Sequence, residues 1–491
     1  MRSYASAMHA GEAPIGERLR EHARDRPGVA AIVAGDRTLD YATLATEVAR
    51  LAAAMAANGL VPGTVVGLVL RDEIEHLLAT LALLECGALQ ISLPSREPAD
   101  TRERLARRVA ATAVLVDRDD DAPAGLRRLR YADLRGGRAG IARSADPEAP
   151  VLALTGSGTT GEPKLIVYSG RDLARQAART FDFTGQRALR PAHVEFNNSK
   201  RIRLYTIWQG GTCVLANGST DAIPALCERH GVTRLELSSL HAANLVAASG
   251  RQGPLPPALQ VRVGGSRLPW SLRRAFLERV SRNLHVSYGT TETSVVSIAG
   301  PDEHDARESV GRPVPDVEVS IVDDAGAPVG AGAIGEIRLR TAGMARGYVG
   351  DPAATARAFR DGWFVPGDRV SIDADGRLIV QGRSDDMMIM NGVNVFPLEI
   401  ERVLESHPAV AAAAALPFAS AVHGQIPVAA VELRPGSTCT SAELVRHARQ
   451  ALGVRAPRRV LVVDVLPRSS LGKILRRSIA PLFGMEGKHH G

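Results

Sequence analysis

The sequence predicts an α/β protein. The expected parts are a large N-terminal domain of largely parallel sheets covered on both faces, a small β-barrel-like part, and a small α+β C-terminal domain. Three observations carry this. Helix-like and strand-like patterns alternate from Ile15 to about Asp117 and again from Arg171 to Val286, the βαβ signature of a parallel sheet with helices on both faces. From Val317 the texture changes to short strands and Gly/Asp turns (VEVSIVDDAG, GEIRLR, GRLIVQGR), as in a small antiparallel sheet or barrel. The segment Gly382-Arg383-Ser384-Asp385-Asp386 then interrupts this run, and strands and helices resume in their own pattern. The boundary falls near Asp385, giving domains 1–384 and 385–491, which suits a chain long enough for more than one core.

Taken in order, Ile15 to Ala23 reads as a helix and Ala30 to Val33 as a strand. Asp40 is an N-cap for an Ala/Leu-rich helix ending at Gly59. Val65 to Leu70 is a buried strand, Glu73 to Cys86 an amphipathic helix stopped by Gly87, and Leu89 to Leu93 another strand. The charged, glycine-bearing run Arg118 to Arg143 is a surface excursion. The stretch LTGSGTTGEPK, residues 154–164, then separates the apolar runs Val151 to Leu154 and Leu165 to Tyr168. It has no large apolar residue to bury after Leu154 and is a loop between strands. Its glycines let N–H groups converge on an anion. The hydroxyls of Thr155, Ser157, Thr159 and Thr160 and the charge of Lys164 complete a phosphate cradle. The same residues on their own fit a flexible turn equally well. A Walker A loop fits badly, because Glu162 and Pro163, not Lys and Ser/Thr, follow Gly161.

Helices at Arg171 to Thr180, Asp221 to Arg229 and Ser239 to Ala248 then alternate with strands at Thr212 to Ala216, Arg234 to Leu237, Leu259 to Val263 and Leu284 to Val286. One strand runs into Gly264-Gly265-Ser266. Another is followed, after Ser287, by Tyr288-Gly289-Thr290-Thr291-Glu292-Thr293. Ligands gather at the C-terminal ends of parallel strands, so both tips are candidate nucleotide contacts. Pro397 to His407 and Ser441 to Leu452 are helices of the C-terminal part.

Composition narrows the function. The formal charge of +7 is small beside 60 basic and 53 acidic residues, and no dense Lys/Arg run carries interleaved aromatics. Nucleic-acid binding is therefore not favoured. The N-terminal stretch MRSYASAMHAGEAPIGERL lacks the apolar core of a signal peptide. Runs such as Leu77 to Leu84 and Ala409 to Leu416 are too short to cross a bilayer. Cys86, Cys213, Cys227 and Cys439 lack metal-ligand spacing and read as reduced thiols. A cytoplasmic monomer or homodimer is expected.

Five stretches fall in one order: LTGSGTTGEPK, YGTTET at 288–293, GWFVPGDRV at 362–370, GRSDDMMIMNGVNVFPLEIE at 382–401 and PRSSLGKILRR at 467–477. Together they resemble the adenylate-forming superfamily of acyl- and aryl-CoA synthetases, peptide-synthetase adenylation domains and luciferases. The resemblance covers nearly the whole chain. It implies activation of a small carboxylic acid by ATP and Mg²⁺ to an acyl-adenylate, then transfer to the thiol of coenzyme A. It also implies roles for residues. Thr155, Ser157, Gly158, Thr159, Thr160, Gly161 and Lys164 would hold the ATP phosphates. Thr291, Glu292 and Lys473 would be catalytic, with Glu292 the Mg²⁺ ligand and Lys473 bridging the carboxylate and the α-phosphate. Tyr288 would stack on adenine, with Gly264, Gly265, Ser266, Gly289 and Thr290 around it. Asp368 would take the ribose hydroxyls and Arg383 would approach the ribose or phosphates. Asp385 matches the hinge of a mobile C-terminal domain, and Gly392 the pantetheine tunnel.

The acid pocket is less legible. Many relatives carry an aromatic-His pair where this chain has Asn197 and Asn198. Ser238, Ser239, His241 and Gly265 are expected in its wall. Lys200, Arg201 and Arg203 read as a solvated helix face, with binding of a second carboxylate or of CoA phosphates as the other reading. An aryl or short-to-medium-chain acid is expected. MMIMNGVNVFPLEIE is closest to free-standing CoA ligases, and no carrier domain follows Lys473. The alternative is a stand-alone enzyme loading the phosphopantetheine of a separate acyl carrier protein. A non-catalytic nucleotide-binding regulator is the remote third reading.

Overall fold

The structure is a computed structural model that describes residues 12–136, 146–156, 164–216, 223–390, 393–420, 424–469 and 472–485. Two sheets dominate the first 300 residues. The first has nine strands, and its six central ones (30–34, 212–215, 187–190, 234–237, 260–264 and 284–290) run parallel. The second has six strands, four of them (113–116, 65–69, 89–92 and 150–156) flanked by the edge strands 127–130 and 164–169. Helices lie on the outer faces of both sheets and between them. The order is helix, sheet, helix, sheet, helix, as the alternation predicts.

Capping fixes where several of these helices begin. Asp40 accepts from the Thr43 N–H at 2.7 Å and Asp72 from the Glu75 N–H at 2.9 Å. Gly87 closes the helix Glu73–Cys86 with φ of +66°, where a side chain would be strained. That helix differs from expectation. It is buried almost all round, including His76 and Thr80, because it lies between the two sheets and has no solvent face. The charged run after Arg118 also differs. Arg127–Arg130 pairs in parallel with Ala113–Val116 as an edge strand, and Tyr131 and Leu134 are buried beneath it. Residues 137–145 lie outside the described residues. Two further helices, Ala99–Arg108 and Trp270–Arg279, and the strand Arg187–Arg190 were not expected.

The helix Asn197–Trp208 overturns a further expectation. Lys200, Arg201 and Arg203 are not solvated; all are buried, Lys200 with 1% of its surface exposed. The helix packs between the sheets, so its cations need partners inside the protein. Arg203 pairs with Glu73 at 2.6 Å and donates to the Ala192 carbonyl at 3.1 Å. Arg201 donates to the Thr291 carbonyl at 3.0 Å. Lys200 Nζ has no hydrogen-bond partner among the described residues, and burial draws its ammonium down to about 7 despite the Glu195 charge.

After residue 316 the strands 317–322, 335–341, 359–360, 363–364, 368–372 and 378–383 form an antiparallel sheet. Its strand path is open among the described residues, so it is a sheet and not a closed barrel. Residues from Met388 onward build a five-stranded sheet of their own. It is packed by the helices Pro397–Ser406 and Ser441–Leu452 around a core that runs from Met388 to Val460. Among the described residues, no helix is long and apolar enough to cross a membrane.

Removing one member of a buried ion pair leaves the other uncompensated, at a cost of about 3–5 kcal/mol. Glu73→Gln is therefore expected to lower the thermal unfolding midpoint by several degrees, followed by circular dichroism. An unchanged midpoint would mean that Arg203 has another route to solvation.

Candidate functional site

The glycine-rich stretch sits at the tip of an antiparallel hairpin. Pro150–Gly156 pairs with Lys164–Ser169, with Gly156 opposite Lys164. Thr155, Gly156 and Lys164 thus belong to the strands. Ser157, Gly158, Thr159, Thr160 and Gly161 lie outside the described residues.

Facing this hairpin is the tip of another. Leu284–Thr290 turns at residues 291–293 and returns as Ser294–Ala299, so Tyr288, Gly289 and Thr290 are strand residues and only Thr291 to Thr293 form the turn. Gly289 is required here, because a Cβ would fall 2.3 Å from the Ser294 carbonyl oxygen. Thr290 Oγ1 accepts from the Thr293 N–H at 3.1 Å and braces the turn from within. The carbonyls that this turn leaves unpaired are met from outside. Tyr168 donates to the Thr291 oxygen at 2.6 Å, Arg201 reaches the same atom, and Arg179 bonds the Thr293 oxygen.

These contacts aim Glu292 at the glycine-rich hairpin. A Cβ on Gly156 would lie 3.6 Å from Glu292 Oε1. Glu292 is 8% exposed, and the Tyr348 hydroxyl donates to its Oε1 at 2.9 Å. Lys164 Nζ sits 4.6 Å from the centre of the Tyr348 ring, a cation–π distance. Tyr348 therefore joins Lys164 to Glu292, and sequence reasoning missed it. No local spacing marks it, because the loop that carries it is brought in from 342–351. Among the described residues, no three His, Cys, Asp or Glu side chains converge as a metal cluster. A single hard carboxylate beside a phosphate-type loop is still the donor set of a Mg²⁺ held largely by phosphate oxygens.

A second group lies around Asp368, at the start of the strand 368–372. The Tyr288 hydroxyl bonds Asp368 Oδ2, and Arg383 Nη1 lies 3.4 Å from Oδ1 while donating to the Pro366 carbonyl at 2.7 Å. Burial, then the Asp368 charge, push the Tyr288 hydroxyl well above its ordinary range, so it stays a donor. Arg383 Nη2 also meets Asp385 at 3.0 Å, one residue into the short 3-10 turn Ser384–Asp386.

Glycine also shapes the tip of the strand Gln260–Gly264. A Cβ on Gly264 would lie 2.4 Å from Ser287 Oγ, and Gly265 adopts φ of +88°. Ser266 Oγ lies 2.6 Å from Ser239 Oγ, tying this tip to the start of the helix Ser239–Gln252. Ser238 caps that helix in a capping box with His241, so its hydroxyl is engaged by the helix. Asn197 donates to the Thr155 carbonyl at 2.6 Å, which ties the cationic helix to the hairpin. Asn198 stands beside it, half-buried at the head of that helix.

Lys473 comes from the C-terminal domain. Its turn is closed by the Ser469 N–H donating to the Lys473 carbonyl at 2.8 Å. Gly472, at φ of +85°, leans on Leu240, where a Cβ would be 2.6 Å from the leucine Cβ. The lysine turn thus touches the helix that Ser239 begins. Lys473 itself is exposed. Surrounding protein first, then the Arg383 and Arg476 charges, draw its ammonium below the usual lysine range, while Asp386 and Asp368 oppose them. Gly392 lies outside the described residues.

Residues 19–349 match the family described as AMP-binding enzyme, and residues 399–473 match the AMP-binding enzyme C-terminal domain. Over 96% of its length the chain is 30% identical to phosphinothricin tripeptide synthetase PhsC of Streptomyces viridochromogenes, of which it spans 45%. It is 29% identical to a feruloyl-CoA synthase of an Amycolatopsis species, with 94% of this chain and 97% of that one covered. The structure of the amide bond synthetase McbA from Marinactinospora thermotolerans superposes with a TM-score of 0.87 at 26% identity, covering 96% of this chain and all of that one.

The Tyr348 hydroxyl is the group that holds Glu292 in place. Tyr348→Phe is expected to weaken Mg²⁺-dependent ATP binding about tenfold, equivalent to about 1.4 kcal/mol, measured by calorimetric titration with and without Mg²⁺. Equal affinities would reduce Tyr348 to packing. With both domain matches in chain order, the chain belongs to the AMP-binding enzyme family, the adenylate-forming superfamily of AMP-forming acid–thiol ligases.

Proposed function

We propose that the protein joins a small carboxylic acid to the thiol of coenzyme A in two steps. In the first, an oxygen of the acid attacks the α-phosphorus of ATP, a P–O bond forms, and pyrophosphate leaves. In the second, the thiol adds to the acyl carbon, its proton is lost, and AMP departs with the bonding electrons. The observation that carries this reading is convergence. Glu292, Lys164, Asp368 and Arg383 come from separate parts of the N-terminal domain. Lys473 comes from the other domain, within electrostatic reach of Asp368 and Arg383.

Adenylyl transfer asks mainly for positioning and charge neutralisation. In this reading Lys164 and the hairpin tip orient the departing pyrophosphate. Asp368, braced by Tyr288 and Arg383, holds the ribose hydroxyls, and the face of Tyr288 meets the adenine. Glu292 is the residue that would hold Mg²⁺, which supplies charge neutralisation on the phosphates. Lys473 places its ammonium between the acid and the α-phosphate, where charge builds in the transition state. The similarity to a feruloyl-CoA synthase along nearly all of both chains supports coenzyme A as the acceptor, and a fatty acid–(acyl-carrier-protein) ligase of Mycobacterium marinum matched as fully supports the carrier-protein alternative.

We further propose that Asp385 is a hinge about which residues 385–491 turn between the two steps. In the second pose the Gly392 region would line the thiol's path. A hinge needs only a few residues to absorb the dihedral change, and the Arg383–Asp385 pair spans this point.

Acid-dependent exchange of labelled pyrophosphate into ATP tests the first step, and thioester formation with coenzyme A or a carrier protein tests the second. Lys473→Ala is expected to remove most exchange, about a hundredfold or more for a lost transition-state charge. It should spare thioester formation from supplied acyl-adenylate, and equal loss of both steps would remove the role given to Lys473. Asp385→Pro is expected to leave exchange within a few-fold of the unaltered protein and to slow thioester formation more than tenfold. Unchanged thioester formation would sink the hinge.

A further inference from the structure

The inner face of the first sheet carries a buried row of charge. Leu235 pairs with Leu189 across adjacent parallel strands, and Leu237 pairs with Val263. These residues, with Val261, Leu284 and Val286, face the apolar core on the outer side of the sheet. Side chains alternate along a strand, so the intervening residues face inward. They are Arg190, Arg234, Glu236, Arg262 and His285, and Glu236 pairs with Arg262 as Arg262 pairs with His285.

All of the arginines are buried, and one carboxylate serves three of them. Arg234 takes Glu236 Oε1 at 2.9 Å and Arg262 takes Oε2. Both guanidiniums also stack on Phe181, at 3.9 and 4.5 Å from its centroid. Two guanidiniums thus engage Glu236 at hydrogen-bond distance. Arg190 is left 4.0 Å from it, 7% exposed, and its Nε is enclosed with no hydrogen-bond partner among the described residues. A buried guanidinium that shares one carboxylate with two other arginines is only partly compensated, and the charges near Arg190 make matters worse. Burial draws it down to about 9; the Glu236 charge opposes this, while Arg262, Arg203 and Arg201 add to the lowering.

Arg190 also lies within electrostatic reach of His241, a residue expected in the wall of the acid pocket. Its positive charge acts on His241, which is pushed down to about 4, first by burial and then by Arg190. His241 Nδ1 accepts from the Ser238 N–H at 3.2 Å, at the tip of the same strand that holds Glu236. The next inward row above Glu236 and Arg262 consists of Ser238 and Gly264. Two residues of strand rise separate these rows by roughly 7 Å.

From this we infer that the acid substrate is dianionic. It carries a second anionic group at its far end, and Arg190 receives that group as a specificity-determining residue. The inference rests on the acid-activating reading above. The second anion supplies the charge that Glu236 cannot, and the carboxylate that reacts stays at the mouth of the cleft near Lys473.

Pyrophosphate exchange measured with matched acids tests this. The probes are adipate, suberate and terephthalate, each against its own monoamide, which differs almost only in the second charge. The expected result is kcat/KM at least tenfold higher for one or more diacids than for the matching monoamide. Arg190→Gln should erase that preference mainly through KM, and Arg190→Lys should restore part of it. Monoamides that react as well as their diacids would overturn the inference and leave the acid-activating reading standing. Equal loss for every acid in Arg190→Gln would assign Arg190 a structural role and also overturn it. Should Arg190→Gln fail to fold, the wild-type comparison and Arg190→Lys still decide. Exchange with none of these acids, nor with benzoate, hexanoate or ferulate, would count against both readings.

Discussion

The site depends on a turn that cannot satisfy its own backbone. Residues 291–293 join two strands, and the carbonyls of Thr291 and Thr293 point away from the ladder. Buried carbonyls left unpaired are costly, so donors arrive from three other elements: Tyr168, Arg201 and Arg179. Ser294 adds to the demand by holding φ of +65°, a conformation that non-glycine residues rarely adopt. Each of these donors belongs to the hairpin of the second sheet or to a helix packed beside it. Satisfying one turn therefore fixes the two sheets against each other, and the direction of Glu292 is a by-product of that fixation.

The glycine-shaped strand tips of the first sheet were legible in the sequence because local rules write them. Glycines at 264, 265 and 289 stand where a side chain would collide or where φ is positive, and parallel strands end where ligands collect. One helix start was legible for the same reason: Asp40 accepts the N–H three residues on. Tyr348 was not legible, since its partners Glu292 and Lys164 are 56 and 184 positions away and share no period with it. The charged helix misled for a physical reason. Lysine and arginine usually mark solvent, but Arg203 meets Glu73 across 130 positions and Arg201 meets a carbonyl of the motif turn. Burial by long-range pairing leaves no local trace. The polar row on the first sheet was hidden similarly, because a strand reading RLEL suggests one wet face and this sheet has none.

The two domains meet through charge. Arg267 binds Glu308 with two nitrogens at 2.8 Å and also meets Glu405 of the C-terminal domain at 2.9 Å, while Arg402 of that domain reaches Glu308 and the Val380 carbonyl. One arginine cannot serve two carboxylates equally. At Glu308 burial pushes the carboxyl up, yet Arg267 and Arg402 prevail and hold it at about 2. At Glu405 burial wins over the same Arg267 and raises it to about 7. Polar interfaces of this kind exchange protein contacts for water at modest cost, unlike apolar ones.

The strict alternation on the first sheet has a consequence for how the chain finds its fold. Shifting the strand Arg234–Leu237 by a single residue would turn Glu236 and Arg234 into the leucine and valine layer, and Leu237 into the guanidinium layer. In a sheet with one wet face such a slip exchanges core for solvent and is already strongly disfavoured. Here both faces are covered, so a misaligned strand would bury unmatched ions on one side and strand ion-pairing partners on the other. The charged row therefore works as an error check during assembly, because any one-residue slip of these strands puts an ion into the apolar layer.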